Sequence, residues 1–297
     1  MIQVTKKILK EIYKKRLVDA RKYDFGLLLV IGGSELYSGS PALASLAAFR
    51  TGVDMVRIIA PKRAADIIAS FTPDLAAYPL EGSHLNREHL TTLVSMAKSA
   101  KAVSSGKAAV VIGGGLGRSE ETKEVILDFL SQVEMPVIID ADGIHALEKN
   151  PKIVFGKPFL ITPHLYEFFI LTGKEVNNLS LEEKIKVVQE EAKRLKTTIL
   201  LKGHVDIISD GQETAVSKTG SPYMTKGGTG DTLAGIAGAL IARGIDPFKA
   251  GQAAAYVNSA AGKLAAKKLG ESVMASDLIE AIPEVIRTFR RFAPQEP

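Results

Sequence analysis

Short apolar runs alternate with segments of helical period from residue 27 to residue 269, and that alternation leaves few folds open. The strand candidates are 27–31, 53–59, 109–112, 137–140, 159–162, 198–201 and 205–209. Several are continuously apolar, as expected where helices cover both faces of a sheet. Helical patterns fill 41–50, 87–100, 120–132, 181–195, 232–243 and 248–269. This order predicts an α/β chain with a doubly wound, mostly parallel central sheet. No linker, repeat or low-complexity tract interrupts it, so residues 1–297 read as a single domain. Ligands of such sheets bind beyond the carboxyl ends of the strands.

Composition narrows the class. Apolar residues make up 46% and charged residues 24%, ordinary for a globular protein. No apolar run approaches the roughly 18 residues of a membrane span. The chain has no cysteine, which excludes disulfides and thiolate metal sites and fits a cytoplasmic protein. The net charge of +5 is concentrated at the ends, with Lys6, Lys7, Lys10, Lys14, Lys15, Arg16, Arg21 and Lys22 near the start. Val4, Ile8 and Ile12 recur every four residues there, so this segment is expected to be an amphipathic helix with a solvated basic face. Without interleaved aromatics or a recognition motif, that face does not point to nucleic acid.

The run Lys226-Gly227-Gly228-Thr229-Gly230-Asp231-Thr232 carries the most chemistry. Three glycines in four positions bare the backbone just before an apolar helical pattern (Leu233, Ile236, Ala237, Leu240, Ile241). Unsatisfied amides and the helix dipole make such a turn a cradle for anionic oxygens. A carboxylate beside a phosphate cradle suggests a base that takes a hydroxyl proton as the oxygen attacks phosphorus. Asp231 could instead be a plain helix N-cap.

Other loops fall at strand ends. Gly32-Gly33-Ser34 with Tyr37-Ser38-Gly39-Ser40-Pro41 precedes a helix and is either a ligand loop or turn chemistry. Gly113-Gly114-Gly115-Leu116-Gly117 holds more glycine than one turn needs, consistent with close backbone approach to a ligand. It lacks the spacing of a dinucleotide-binding fingerprint. Asp140 and Asp142 could hold a magnesium shell, or Asp142 could cap a helix. Thr162-Pro163-His164 is followed by Glu167, which places His164 and Glu167 at a first helical turn facing the cleft. Lys202-Gly203-His204-Val205-Asp206 joins two strands as a ligand loop or a simple hairpin.

Taken in order, these loops resemble the ribokinase-like superfamily, and within it the ADP- or ATP-dependent NAD(P)H-hydrate dehydratases, which repair hydrated nicotinamide cofactors. The resemblance runs from about Asp24 to about Ala266, and its most specific part is the Lys226-to-Gly235 segment. It implies Asp231 as catalytic base in contact with the hydrate. It implies an anion hole of Gly228, Thr229 and Gly230, with Gly230 also near the nucleotide. Ser40, Gly115 and His164 match positions lining the hydrated-nicotinamide site; Lys202, Gly203, His204, Val205 and Asp206 match the adenine-nucleotide loop. Glu167 aligns with a carboxylate that orders magnesium through water.

The family pattern usually has Pro where Gly114 stands, Pro-Gly at Leu165-Tyr166, and Asn-x-Gly at Ser221-Pro222-Tyr223. The resemblance further implies Mg2+, ADP or ATP as co-substrate, and a homo-oligomer, with a tetramer the expected form. Many members carry a fused epimerase domain; with no spare length for it here, a separate epimerase is the expected pathway partner. Two readings stand beside the dehydratase: a small-molecule kinase of the same superfamily, and a nucleotide-binding regulatory protein without turnover.

Overall fold

A computed structural model describes residues 1–290. In chain order the elements are β1 (Ile2–Gln3), α1 (Ile8–Ile12), β2 (Leu27–Ile31), α2 (Gly39–Thr51), β3 (Met55–Pro61), α3 (Lys62–Phe71), β4 (Ala76–Leu80), α4 (Leu90–Val103), β5 (Ala108–Ile112), α5 (Glu120–Gln132) and β6 (Val137–Ile139). There follow α6 (Asp142–Leu147), β7 (Leu160–Ile161), α7 (Leu165–Thr172), α8 (Leu181–Leu195), β8 (Thr198–Leu201), β9 (Asp206–Ser209), β10 (Thr214–Ser217), α9 (Thr229–Ala242), α10 (Pro247–Leu269) and α11 (Ala275–Arg290).

All ten strands join one sheet in the order β1-β10-β9-β8-β7-β6-β5-β2-β3-β4. From β8 to β4 every pairing is parallel, whereas β9 pairs antiparallel with both β8 and β10. The chain is thus α/β with a doubly wound, mostly parallel sheet, as the alternation predicts.

The period-2 geometry of the strands sorts side chains into two cores. Leu28 and Val30 of β2 join the core under α2, α9 and α10, while Leu27, Leu29 and Ile31 join the core under α4, α5 and α8. A strand buried on both faces must be apolar throughout, which is why LLLVI reads as a continuous run.

Several boundaries and elements differ from expectation. The first segment is not a long helix: α1 spans one turn and a half, and Val4 instead donates to the Val216 carbonyl alongside β10. Leu9 and Ile12 are buried, so the four-residue spacing is that of a short docked turn. The strands β1, β4 and β10 and the helices α3, α6 and α11 are additional to the sequence reading. The first two of these strands are short or exposed edges; β4 carries Pro79, which an edge tolerates. The residues expected as a strand at 53–59 pair as Met55–Pro61, and 137–140 ends at Ile139, leaving Asp140 in the loop.

Candidate active site

The decisive local fact is where α9 begins. Gly228, in the left-handed region (φ 92°), is the N-cap, so Gly230 and Asp231 lie inside the first turn rather than before it. The expected helix 232–243 starts three residues early, and Asp231 is not a cap: its carboxylate caps nothing. Amides in this turn have no preceding helical carbonyl to bond. Thr229 reaches the Lys226 carbonyl at 3.4 Å, while its hydroxyl bonds the carbonyls of Met224 and Lys226, both at 3.0 Å.

The turn is braced from behind by Asn258 of α10, a residue absent from the sequence reading. Its amide donates to the Thr229 carbonyl at 3.2 Å, and its side-chain oxygen accepts from the Thr232 hydroxyl at 2.7 Å. The available signal was a single Asn in an alanine-rich helical run, where a buried polar side chain needs partners.

Asp231 points across to α2, where the Ser40 hydroxyl donates to its Oδ1. Burial, followed by the nearby Asp140 carboxylate, raises the Asp231 pKa from 3.8 to about 6; the Ser40 bond and Lys202 act in the opposite direction. Gly33 ties the loop after β2 to the loop after β5 by donating to the Gly114 carbonyl at 2.9 Å. Gly115 lies against Tyr37, with its missing Cβ position 3.0 Å from the Tyr37 Cβ. The structure therefore brings Ser40, the Gly113-to-Gly115 loop and Asp231 together at adjacent strand ends.

A second cluster lies at the ends of β6, β7 and β8. Lys202 Nζ is 2.7 Å from Asp140 Oδ1 and 3.6 Å from Glu167 Oε2. Asp140 also accepts from the Thr162 hydroxyl at 2.8 Å. Burial opposes the charge on Lys202, but the Asp140 and Glu167 carboxylates outweigh it and raise its pKa. His164 and Glu167 form a capping box on α7: the imidazole Nδ1 accepts from the amides of Tyr166 and Glu167, and Glu167 Oε2 accepts from the His164 amide at 2.8 Å. With Nδ1 an acceptor, the imidazole proton sits on Nε2, 3.3 Å from Glu167 Oε1.

Asp140 and Asp142 do not form a shared shell. Asp142 bonds the Gly117 amide at 2.9 Å and Arg118 Nε at 2.8 Å, tying down the glycine loop, while Asp140 faces Lys202. Among the described residues no group of three or more His, Asp or Glu side chains could hold a metal.

Beside the second cluster opens a cavity of about 620 Å³, lined by His164, Lys202, Gly203, His204, Asp206, Thr229, Gly230, Asn258 and Ser259 among others, whereas Ser40, Gly114, Asp140 and Asp231 line a separate small pocket of about 10 Å³. The larger volume suits a small-molecule ligand. Asp206 accepts from the Gly203 amide at 3.1 Å, and burial pushes its pKa up to about 6. The 202–206 segment is both a hairpin between antiparallel β8 and β9 and a cavity wall. Val205 departs from expectation, packing with the core under α8 rather than lining the cavity. Tyr223 is likewise absent from the lining, although Ser221, Pro222 and Met224 contribute. Tyr166 is exposed on α7, its ring tilted against His145.

Residues 28–284 match the model of the NAD(P)H-hydrate dehydratase family. The chain belongs to that family. It is 37% identical to the ADP-dependent (S)-NAD(P)H-hydrate dehydratase of Cenarchaeum symbiosum, over 92% of each chain, and 34% identical to that of Nitrosopumilus maritimus, over 96% and 97%. It is 43% identical to a bifunctional NAD(P)H-hydrate repair enzyme of Pyrobaculum aerophilum, covering 92% of this chain and 53% of that one; the chain spans about half the length of such bifunctional relatives. The fold is that of the Bacillus subtilis ADP/ATP-dependent NAD(P)H-hydrate dehydratase (TM-score 0.78, 24% identity, covering 97% and 98%). Hydroxyethylthiazole kinase of Pyrococcus horikoshii shares it less closely (TM-score 0.62, 18% identity, covering 97% and 95%). The sheet is thus ribokinase-like.

Proposed function

We propose that the chain is a cytoplasmic ADP-dependent (S)-NAD(P)H-hydrate dehydratase, acting as a homo-oligomer beside a separate epimerase. The observation that carries the reading is the carboxylate of Asp231. It is held by Ser40 inside the first turn of α9, next to amides that border a nucleotide-sized cavity.

Asp231 takes the proton of the C6 hydroxyl as that oxygen attacks the terminal phosphorus of ADP. A base with a pKa of about 6 is ionised at neutral pH and accepts a proton more readily than an ordinary aspartate. General-base help of this kind is worth about 10²–10⁴ in rate. The amides of Gly228, Thr229 and Gly230 stabilise charge on the phosphoryl oxygens, and the P–O bond to AMP breaks. The ring nitrogen's lone pair then expels phosphate from C6. Loss of a proton from the adjacent carbon restores the dihydronicotinamide, so the net change is loss of water from the hydrate.

Magnesium fits the site in an indirect role. Both Glu167 oxygens already have protein partners, so Glu167 would hold the ion through water, with phosphate oxygens supplying other ligands. When bound, the ion supplies positive charge opposite the phosphates. His164, Ser40 and Gly115 line the hydrate side; Lys202, Gly203, His204 and Asp206 line the nucleotide side.

The test is to incubate the protein with hydrated NADH, Mg2+ and either ADP or ATP, following absorbance of the dihydronicotinamide ring. Recovery with ADP and release of free phosphate are expected. A stable phosphorylated product, or nucleotide binding without recovery, would replace the dehydratase with a kinase or a regulatory protein.

A further inference from the structure

Gly114 is a glycine for reasons of space. Its φ lies outside the left-handed region, so its backbone conformation is open to other residues. A Cβ at this position would overlap Ser40 Oγ and would stand 3.0 Å from Asp231 Oδ1 and 3.1 Å from Ser40 Cβ. The loop cannot easily withdraw, because the Gly114 carbonyl accepts the Gly33 amide at 2.9 Å.

The helix that carries Ser40 is itself closely packed, which limits how far it can shift as a body. Gly235 of α9 packs directly on the Ala44 backbone of α2: a Cβ there would overlap the Ala44 carbonyl and come within 2.8 Å of its Cα. With both backbones constrained, any group added at position 114 must displace the Ser40 hydroxyl. Among the described residues that hydroxyl makes one hydrogen bond, to Asp231 Oδ1.

We propose that Gly114 and Ser40 act together as positioning residues: the side-chain space left empty at Gly114 is where the Ser40 hydroxyl donates to Asp231 Oδ1, leaving Oδ2 to receive the substrate proton. The inference rests on Asp231 being the base. It adds that the glycine loop after β5 serves the carboxylate through Ser40, rather than through direct approach to the ligand alone.

The charged groups acting on Asp231 come from other elements: Asp140 after β6, Asp142 on α6 and Lys202 after β8. Asp140 and Asp142 favour its protonated form, whereas Ser40 and Lys202 favour the carboxylate. Removing the Ser40 hydroxyl leaves the other three in place, so the acid limb of turnover shifts to higher pH.

A double-mutant cycle tests the coupling. Ser40→Ala is expected to lower kcat about tenfold and Gly114→Ala about a hundredfold, the latter because a base displaced by an ångström loses that much. ADP affinity, read by calorimetry, is expected to stay within about threefold in both, since neither residue borders the larger cavity. In the double variant the overlap with the hydroxyl is gone and only the tight contacts to Asp231 Oδ1 (3.0 Å) and Ser40 Cβ (3.1 Å) remain, so kcat is expected to rise well above that of Gly114→Ala, toward the Ser40→Ala value. A double variant slower by the product of the two effects, about a thousandfold, would overturn the coupling. An unshifted acid limb in Ser40→Ala would do the same.

If Gly114→Ala alone fails to fold, the comparison of Ser40→Ala with the double variant still decides. Turnover approaching that of Ser40→Ala supports the pair, and failure of the double to fold refutes it. Asp231→Asn separates the two claims. Wild-type turnover in that variant removes the base itself, whereas an inactive Asp231→Asn with an additive cycle removes only the Gly114–Ser40 coupling.

Discussion

Lys202 lies 2.7 Å from Asp140, its ammonium closing the space between the ends of β6 and β8 and reaching Glu167 at 3.6 Å. The Asp140 and Glu167 side chains are only 5% and 6% exposed, so one cation is shared by two carboxylates that water hardly reaches. Burying such groups costs free energy unless charge and hydrogen bonds are returned. Thr162 and the His164 amide return part of it, and Lys202 supplies the charge.

Lys202→Met keeps the length of the side chain and removes the ammonium. It is expected to lower stability by about 3 kcal/mol, the low end for breaking a buried pair because Lys202 itself keeps some exposure. Urea denaturation measures this directly. An unchanged midpoint would mean that water or a bound cation already neutralises the carboxylates. ADP affinity is expected to fall as well, since Lys202 borders the cavity.

The pH dependence of kcat/KM reports on Asp231. In the proposed mechanism its ionised form is the base, and burial raises its pKa to about 6, so activity is expected to fall as pH drops through 6. An aspartate at its ordinary 3.8 would hold activity two units lower. An acid limb near 4 would show that Asp231 is better solvated than its surroundings allow.

The alternation of apolar runs and helical periods was enough to read the doubly wound sheet, because burial on both faces leaves a direct imprint on β2 and β5. Elements without that imprint were not legible: β4 is half-exposed, β1 is two residues long, and α6 is a six-residue helix. At the site, the glycine turn was legible because three glycines in four positions bare the backbone ahead of an apolar helical pattern, although the helix begins three residues early and takes Asp231 into its first turn. The partnership of Lys202 with Asp140 was not, since 62 residues separate them and only the parallel order of β6, β7 and β8 makes them neighbours. Val205 is the opposite case: it lies in the 202–206 loop, yet its side chain turns to the core, an orientation that the loop's sequence does not reveal.

Asp231→Asn is expected to abolish turnover while stabilising the fold at neutral pH. A raised pKa means the folded state holds the proton more tightly than the unfolded chain does. Stability from that proton is complete below the unfolded value of 3.8 and is lost as pH rises through about 6. At pH 7.5 the ionised carboxylate therefore opposes folding, by up to about 3 kcal/mol for a shift of two units. Asparagine removes that charge and can still accept from Ser40. Denaturation at pH 7.5 should favour the variant, with the difference shrinking toward zero near pH 4; a gain independent of pH would assign it to packing instead.

Gly230→Ala distinguishes a glycine kept for ligand from one kept for the fold. At Gly228, φ is 92° and a Cβ would come within 2.6 Å of Leu43 Cδ1 and 2.9 Å of Ala275 Cβ, so alanine there is expected to cost about 2 kcal/mol of stability through strain and overlap. Gly230 has helical backbone inside α9, and its Cβ would sit 3.5 Å from Lys202 Nζ and 3.9 Å from Asp140 Oδ2, ordinary contacts that displace nothing in the protein. Alanine also favours a helix over glycine by about 1 kcal/mol in an interior position, and by less this near the end. Gly230→Ala is therefore expected to match or slightly exceed the parent in stability. Its methyl group, however, would project into the cavity wall where the proposed mechanism puts the phosphoryl oxygens, and turnover is expected to fall by about tenfold or more. Thermal unfolding and the hydrate assay on the same preparation check both halves. Full activity in a stable Gly230→Ala variant would place the transferred phosphoryl group away from this amide, while an unstable one would return Gly230 to the architecture of α9.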